Sequence, residues 1–259
     1  MTNPVKILKN SIFSRLFWTF LFIMIPLYLL GFNIYTWGMQ TVRKEITNTM
    51  VSQVDFYMDN LEMDIQRMRA LQYELLNDED LNNLAVISDT MGNYEKSRAI
   101  LRLQQRLNAI KSSSSYIFDI RVHIPSIDMS ISPLHSPDNL QEEEFNMLWK
   151  ARPESDFQIV YWEGKLLLSV IHPVNNFSGN KLPLYAIIIE LSKDSLNKAL
   201  QQFNSHRGSG AFLIYLPYDY IVAKNEPEPG ITDRMLSWLK NQEDGNGIGG
   251  SSIEYNGNR

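Results

Sequence analysis

Tyr116-Ile117-Phe118-Asp119-Ile120-Arg121-Val122-His123-Ile124-Pro125 is where the chain changes period. Before this stretch, apolar residues recur every three or four positions. Within it, Tyr116, Phe118, Ile120, Val122 and Ile124 alternate with Ile117, Asp119, Arg121 and His123, which predicts a strand with one buried face. Pro125 ends it, because proline cannot donate to a strand ladder.

The strand pattern continues downstream. A short partner is expected around 129–132. Ser136-Pro137 reads as an N-cap with proline at the first helical position, followed by Glu142, Glu143 and Glu144, so a helix is expected over 137–150. Residues 157–162 and 165–174, separated by Glu163-Gly164, predict a hairpin. Residues 184–191 are nearly all apolar and predict a central strand. Ser192 caps a helix over 193–203, and Gly208-Ser209-Gly210 breaks the chain. A second hairpin is expected over 211–216 and 220–223, then a helix over 231–241 and a strand over 252–255. The fold class is α+β: an antiparallel sheet with flanking helices.

Upstream the period is 3.6. Ala99, Ile100, Leu103, Leu107 and Ile110 share one face of a helix over 93–110. Asn77-Asp78-Glu79-Asp80 predicts a turn or loop. Val42, Ile46, Met50, Val54, Leu61, Ile65, Met68, Leu71 and Leu75 mark a long amphipathic helix over 42–75, a stalk of roughly 50 Å if unbroken. No charge occurs over residues 16–42, and roughly 20 helical residues cross a bilayer core. Pro26 lies inside this run and is expected to kink it; Trp18 lies near one end and Tyr35 and Trp37 near the other, as in aromatic belts. The run exceeds a signal-peptide core and no small-residue cleavage site follows it, so a retained transmembrane helix over 16–41 is expected.

Charge divides the chain in the same place. Residues 1–44 hold Lys6, Lys9, Arg15, Arg43 and Lys44 and no acid; the remainder holds 19 basic and 29 acidic residues, a net of −10. Three basic residues precede the membrane run and two follow it, an excess that favours a cytoplasmic leader over 1–15, with residues 45–259 outside the cytoplasm. An acidic outer region repels phosphate backbones, which argues against nucleic-acid binding. The absence of cysteine excludes disulfides and thiolate chemistry.

No catalytic constellation is legible. His123, His135, His172 and His206 have no metal-ligand spacing, so no metal or cofactor is expected. The glycines in Asp244-Gly245-Asn246-Gly247-Ile248-Gly249-Gly250 follow a helix and precede no Lys-Ser or Lys-Thr pair, so they read as a turn. The ligand-contact candidates are Trp149, Arg152, Tyr161, Trp162, His172 and Tyr185, on the elements that would wall a pocket. Arg152 could pair with a carboxylate, and the aromatics could stack on a sugar face.

Three features together resemble a known family. These are the run Leu16-Phe17-Trp18-Thr19-Phe20-Leu21-Phe22-Ile23-Met24-Ile25-Pro26-Leu27, the stalk, and 118–125 leading to Ile131-Ser132-Pro133. The chain resembles double-Cache sensor histidine kinases of Gram-positive two-component systems. That resemblance implies a stalk and second helix over 42–110, a membrane-distal PAS-like module over 111–205, and an incomplete membrane-proximal module over 206–259. It implies a piece of a longer receptor, with the histidine kinase core elsewhere and no enzymatic activity in this segment. The amphipathic stalk could pair with its copy in a homodimer, and the outer region is expected to sense a small molecule, carbohydrate among the candidates, or a ligand-binding partner protein. A membrane-anchored transcription regulator with the same outer region is the alternative, as is a ligand-free membrane tether.

Overall fold

The computed structural model describes residues 12–150, 157–173, 183–201, 212–215 and 220–223, with residues 230, 234, 236 and 237. The expected strand over 252–255, the glycines over 244–250, the break at 208–210 and Arg152 lie outside the described residues, as does most of the expected helix over 231–241. The chain divides into two units after Asp55.

The membrane run and the stalk belong to one helix, α1 (Ile12–Leu76), of 65 residues, with Pro26 inside it. Its most apolar 18-residue window has a mean hydropathy of 1.9, and none of that window is buried. By length and composition α1 can cross a membrane.

The second unit, Phe56–Gly249, begins within α1. The expected break ends α1 at Leu76, with a turn at Asn77 and Asp78, and is shorter than expected: a helix, α2 (Glu79–Val86), follows at once. Asp78 is its N-cap, accepting the Leu81 N–H at 2.8 Å, so the acidic segment that breaks the first helix also starts the next. Then comes α3 (Asn93–Lys111). Arg102 donates through Nε to Asp80 Oδ2 at 2.9 Å, and Arg106 donates to the same oxygen at 2.6 Å, which ties α3 to the start of α2. Arg102 chiefly, with Arg106, holds the Asp80 carboxyl below its ordinary range.

The sheet comprises β1 (Ile117–Ile124), β2 (Met129–Ile131), β3 (Asp138–Asn139), β4 (Phe157–Trp162), β5 (Lys165–His172) and β6 (Tyr185–Leu191). Its order is β3-β2-β1-β6-β5-β4, and every pairing is antiparallel. The α+β expectation therefore holds. The β4–β5 hairpin turns at Glu163 and Gly164, both with positive φ (48° and 80°), the geometry that favours glycine in a two-residue turn. Between β3 and β4 lies α4 (Glu142–Lys150); after β6 comes α5 (Lys193–Gln201), then a separate pair, β7 (Phe212–Tyr215) and β8 (Tyr220–Ala223).

Two expectations fail here. Residues 137–141 are not helical: Ser130 and Met129 pair with Asp138 and Asn139, and α4 starts only at Glu142. Strand pairing satisfies the backbone there, and Ser130 Oγ accepts the Gln141 N–H at 3.1 Å. Nor does β1 have one buried face. Only Phe118 is exposed along it, because the register slips between Ile117 and Asp119 and the bulge turns Phe118 out.

Both faces of the sheet are therefore covered. On one, Ile120, Val122, Ile124, Leu168, Ile187 and Ile189 join Leu61, Met68 and Leu75 of α1, with Leu81 and Leu84 of α2 and Leu103 and Leu107 of α3. On the other, Val160, Leu167, Ile171, Ala186 and Ile188 join Phe145 and Leu148 of α4. Val222 of β8 belongs to the first cluster.

Candidate functional site

The face under α4 carries the buried charges. Alternation along β1 sends Asp119, Arg121 and His123 to the side opposite Ile120, Val122 and Ile124. The pairing register then builds rows across the sheet. Arg121 lies beside Ile188, Ile188 beside Ser169, and Ser169 beside Gln158. One row over, Asp119 lies beside Glu190 and Glu190 beside Leu167; on the other side, Ser130 lies beside His123 and His123 beside Ala186.

Arg121 is the hub. Its Nε donates to Glu144 Oε2 at 2.9 Å and its Nη2 to Oε1 at 2.6 Å, a two-pronged grip on one carboxylate. Its Nη1 donates to Glu190 Oε2 at 2.9 Å and lies 3.6 Å from Asp119 Oδ2. Lys165 Nζ reaches Glu190 Oε2 at 3.5 Å. Ser132 donates its hydroxyl to Asp119. Arg121 is only 7% exposed and Glu144 6%.

Burial opposes charge on both partners, yet pairing wins. Burial alone would raise the Glu144 carboxyl, but His123 and Arg121 hold it down at about 2. Burial would lower the Arg121 guanidinium, and Glu144 and Glu190 push it up instead. An ionised Glu144 can only accept, so the His123 Nε2 at 2.8 Å from it carries a hydrogen. His123 Nδ1 meets Ser130 Oγ at 2.7 Å. Three donors thus converge on the Glu144 carboxylate, which hangs from the first turn of α4.

Toward β4 and β5 the face becomes apolar, except at two atoms. Ser169 Oγ and Gln158 Oε1 are buried and have no hydrogen-bond partner among the described residues. Gln158 uses its other end, donating through Nε2 to Leu148 O of α4 at 3.3 Å. Ser169 is fully buried. Among the described residues no group of His, Asp and Glu could hold a metal ion.

No protein-family model matches the chain, and no curated protein matches it. Among solved structures, it is similar to the ligand-binding domain of the Campylobacter jejuni chemoreceptor Tlp3 in complex with 4-methylisoleucine. That likeness covers 70% of each chain, at 12% identity and a TM-score of 0.46.

The described residues among those singled out from sequence fall in two groups, on opposite faces of the sheet. Trp149 and Trp162 pack on the α4 side. Tyr161 alternates with Trp162, placing it on the other side, half exposed. His172 and Tyr185 are paired in register and stacked with ring centroids 5.0 Å apart; the Tyr185 hydroxyl lies 3.2 Å from Leu76 O and 3.1 Å from Asn82 Oδ1, on the α1 and α2 side. Burial lowers the His172 imidazole and, with Asp78 nearby, pushes the Tyr185 hydroxyl up to about 12. Sequence reasoning passed over Arg121, His123, Glu144 and Glu190. The signal was available: three polar residues at every second position of β1, and one carboxylate inside the apolar run of β6.

The α1 side has polar links as well, among them the Tyr185 hydroxyl to Leu76 O and a buried glutamine. Gln72, fully buried among Met68 and Leu75, donates through Nε2 to Leu168 O at 2.9 Å and to Ile187 O at 3.1 Å. These carbonyls belong to β5 and β6, one residue from Ser169 and Ile188, which face α4.

Proposed function

We propose that the chain is the extracytoplasmic sensing region of a membrane receptor, anchored by α1, with a two-component histidine kinase as the parent protein. The observation that carries this reading is the pairing of elements within α1. One helix holds both an exposed, uncharged segment long enough to cross a membrane and, in its last turns, a glutamine bound to the two strands β5 and β6. The opposite face of those strands has a buried polar network and two unpaired polar atoms, the kind of lining that fixes a small ligand. A ligand moves a receptor only through different affinities for two conformations. The sheet supplies a route, because Ser169 and Ile188 on the ligand side adjoin the carbonyls that Gln72 holds. Phe56 and Met63, seven positions apart on α1 and exposed, support pairing with a second copy.

The test is topological. The chain has no cysteine, so a single exposed Ser112→Cys substitution gives one reporter. In intact cells it should react with a membrane-impermeant maleimide. Labelling seen only after lysis would remove the extracytoplasmic reading.

A further inference from the structure

Glu144 is held by chemistry that is not specific to Glu144. The Arg121 fork and the His123 Nε2 present three donors, at 2.9, 2.6 and 2.8 Å, to one carboxylate in a water-poor site. Any carboxylate of that size meets the same donors. The other acids of the network, Glu190 and Asp119, are fixed by the central strands β6 and β1. Glu144 instead belongs to a nine-residue helix. Besides this carboxylate, polar ties between α4 and the sheet include the Gln158 amide to Leu148 O, and just before the helix the Gln141 N–H meets Ser130 Oγ.

A second observation points the same way. Ser169 Oγ and Gln158 Oε1 lie in the Arg121 row, buried and unpaired among the described residues. Leaving such atoms unmatched is unfavourable unless another state satisfies them. Strands lie about 4.8 Å apart, so Ser169 is roughly 10 Å from Arg121 along the row.

We propose that Arg121 and His123 form a carboxylate cradle which Glu144 fills from within, and that a small carboxylate ligand displaces Glu144 and frees α4 from the sheet. The ligand class is a carboxylate with a hydrogen-bonding group roughly 10 Å away, which would reach Ser169 and Gln158. Charge balance is kept, since one carboxylate replaces another beside Arg121, Lys165, Glu190, Asp119 and His123. The proposal takes its purpose from the sensor reading, but its chemistry is tested separately.

The full chain in detergent suffices, with sodium formate as probe and sodium chloride at equal ionic strength as control. Glu144→Ala should lower the unfolding midpoint by about 10 °C, and 0.1 M formate should restore at least about 5 °C, whereas chloride should not. Adding Arg121→Met to that variant should abolish the formate response. Equal behaviour in formate and chloride would overturn the cradle. Should Glu144→Ala not fold, Glu144→Gln takes its place: it leaves the donors without an anion, and formate must raise its midpoint. The release of α4 is tested in the unaltered chain, where the amides of residues 142–150 should exchange at least about threefold faster in formate than in chloride. Unchanged exchange would make Glu144 a fixed tether. Failure of Ser112→Cys labelling would end the extracytoplasmic reading and leave the formate result standing.

Discussion

The two faces of the sheet are held by different physics. Toward α1, α2 and α3 the contact is mostly apolar, and Gln72 is a buried polar link from α1 to the strands. Toward α4 the apolar contact is smaller and an ionic network lies at its edge. Apolar packing is tolerant, because any residue of about the right volume keeps most of the energy. An ionic network is not, because every member depends on its partners and the loss of one strands the others in a poor dielectric. The α1 face therefore fixes the fold, and the α4 face fixes one arrangement of it.

This contrast can be broken most directly at the hub. Arg121→Ala leaves Glu144, Glu190 and Asp119 facing each other and should cost about 4 kcal/mol. Leu168→Ala, a buried truncation on the other face, should cost about 3 kcal/mol. Urea denaturation of both variants checks the order. A milder result for Arg121 than for Leu168 would mean that the network relaxes or hydrates.

Acid sharpens the same comparison. The Glu144 carboxyl is depressed from its ordinary 4.5 to about 2 in the folded chain. A depressed carboxyl contributes its stability above the unfolded value and loses it as pH falls through the folded one. Stability from Glu144 should thus be complete above about pH 5 and fade between about pH 4.5 and 2. Glu144→Gln should flatten that part of the profile. A wild-type profile with the same slope as the variant would remove Glu144 from the account.

The smallest effect is expected at Gln72. Met in its place keeps the volume, and it removes an Oε1 that has no partner among the described residues. Stability should change by less than about 1 kcal/mol in either direction. The change should instead appear as faster exchange of the β5 and β6 amides, where the helix no longer holds the strands. A loss of about 3 kcal/mol would show that the two hydrogen bonds carry stability in their own right.

The fold was legible because its strongest signals are periodic. The switch to alternation at 116, the Glu163-Gly164 turn and the apolar run over 184–191 located β1, the β4–β5 hairpin and the central strand β6. The misses have local causes. Asp78 sits in the break after α1 and also caps α2, and only its bond from the Leu81 N–H reveals the second role. Ser136-Pro137 carries a helix-start pattern, but the pairing of Asp138 and Asn139 with Ser130 and Met129 outcompetes it. The site was harder, since its members come from β1, β2, α4, β4, β5 and β6 and meet only through the sheet order. Alternation could place Arg121 and His123 on one face, but nothing in the sequence says that Glu144 covers it.

That sheet order has a consequence for how the chain is made. β6 lies between β1 and β5, though it is the last of the six strands to be synthesised. The β4–β5 hairpin can form as it leaves the ribosome, and β1 can meet β2 almost at once. The two pairs cannot join until β6 arrives, and Arg121 waits for Glu190, 69 positions later. During that interval β1 offers an unpaired edge with apolar side chains toward the helices, a state that invites pairing with a neighbouring nascent chain. Closing so long a loop is slow compared with forming a hairpin. β6 is therefore the keystone of assembly, and early termination before residue 185 should leave two half-sheets with no strand between them.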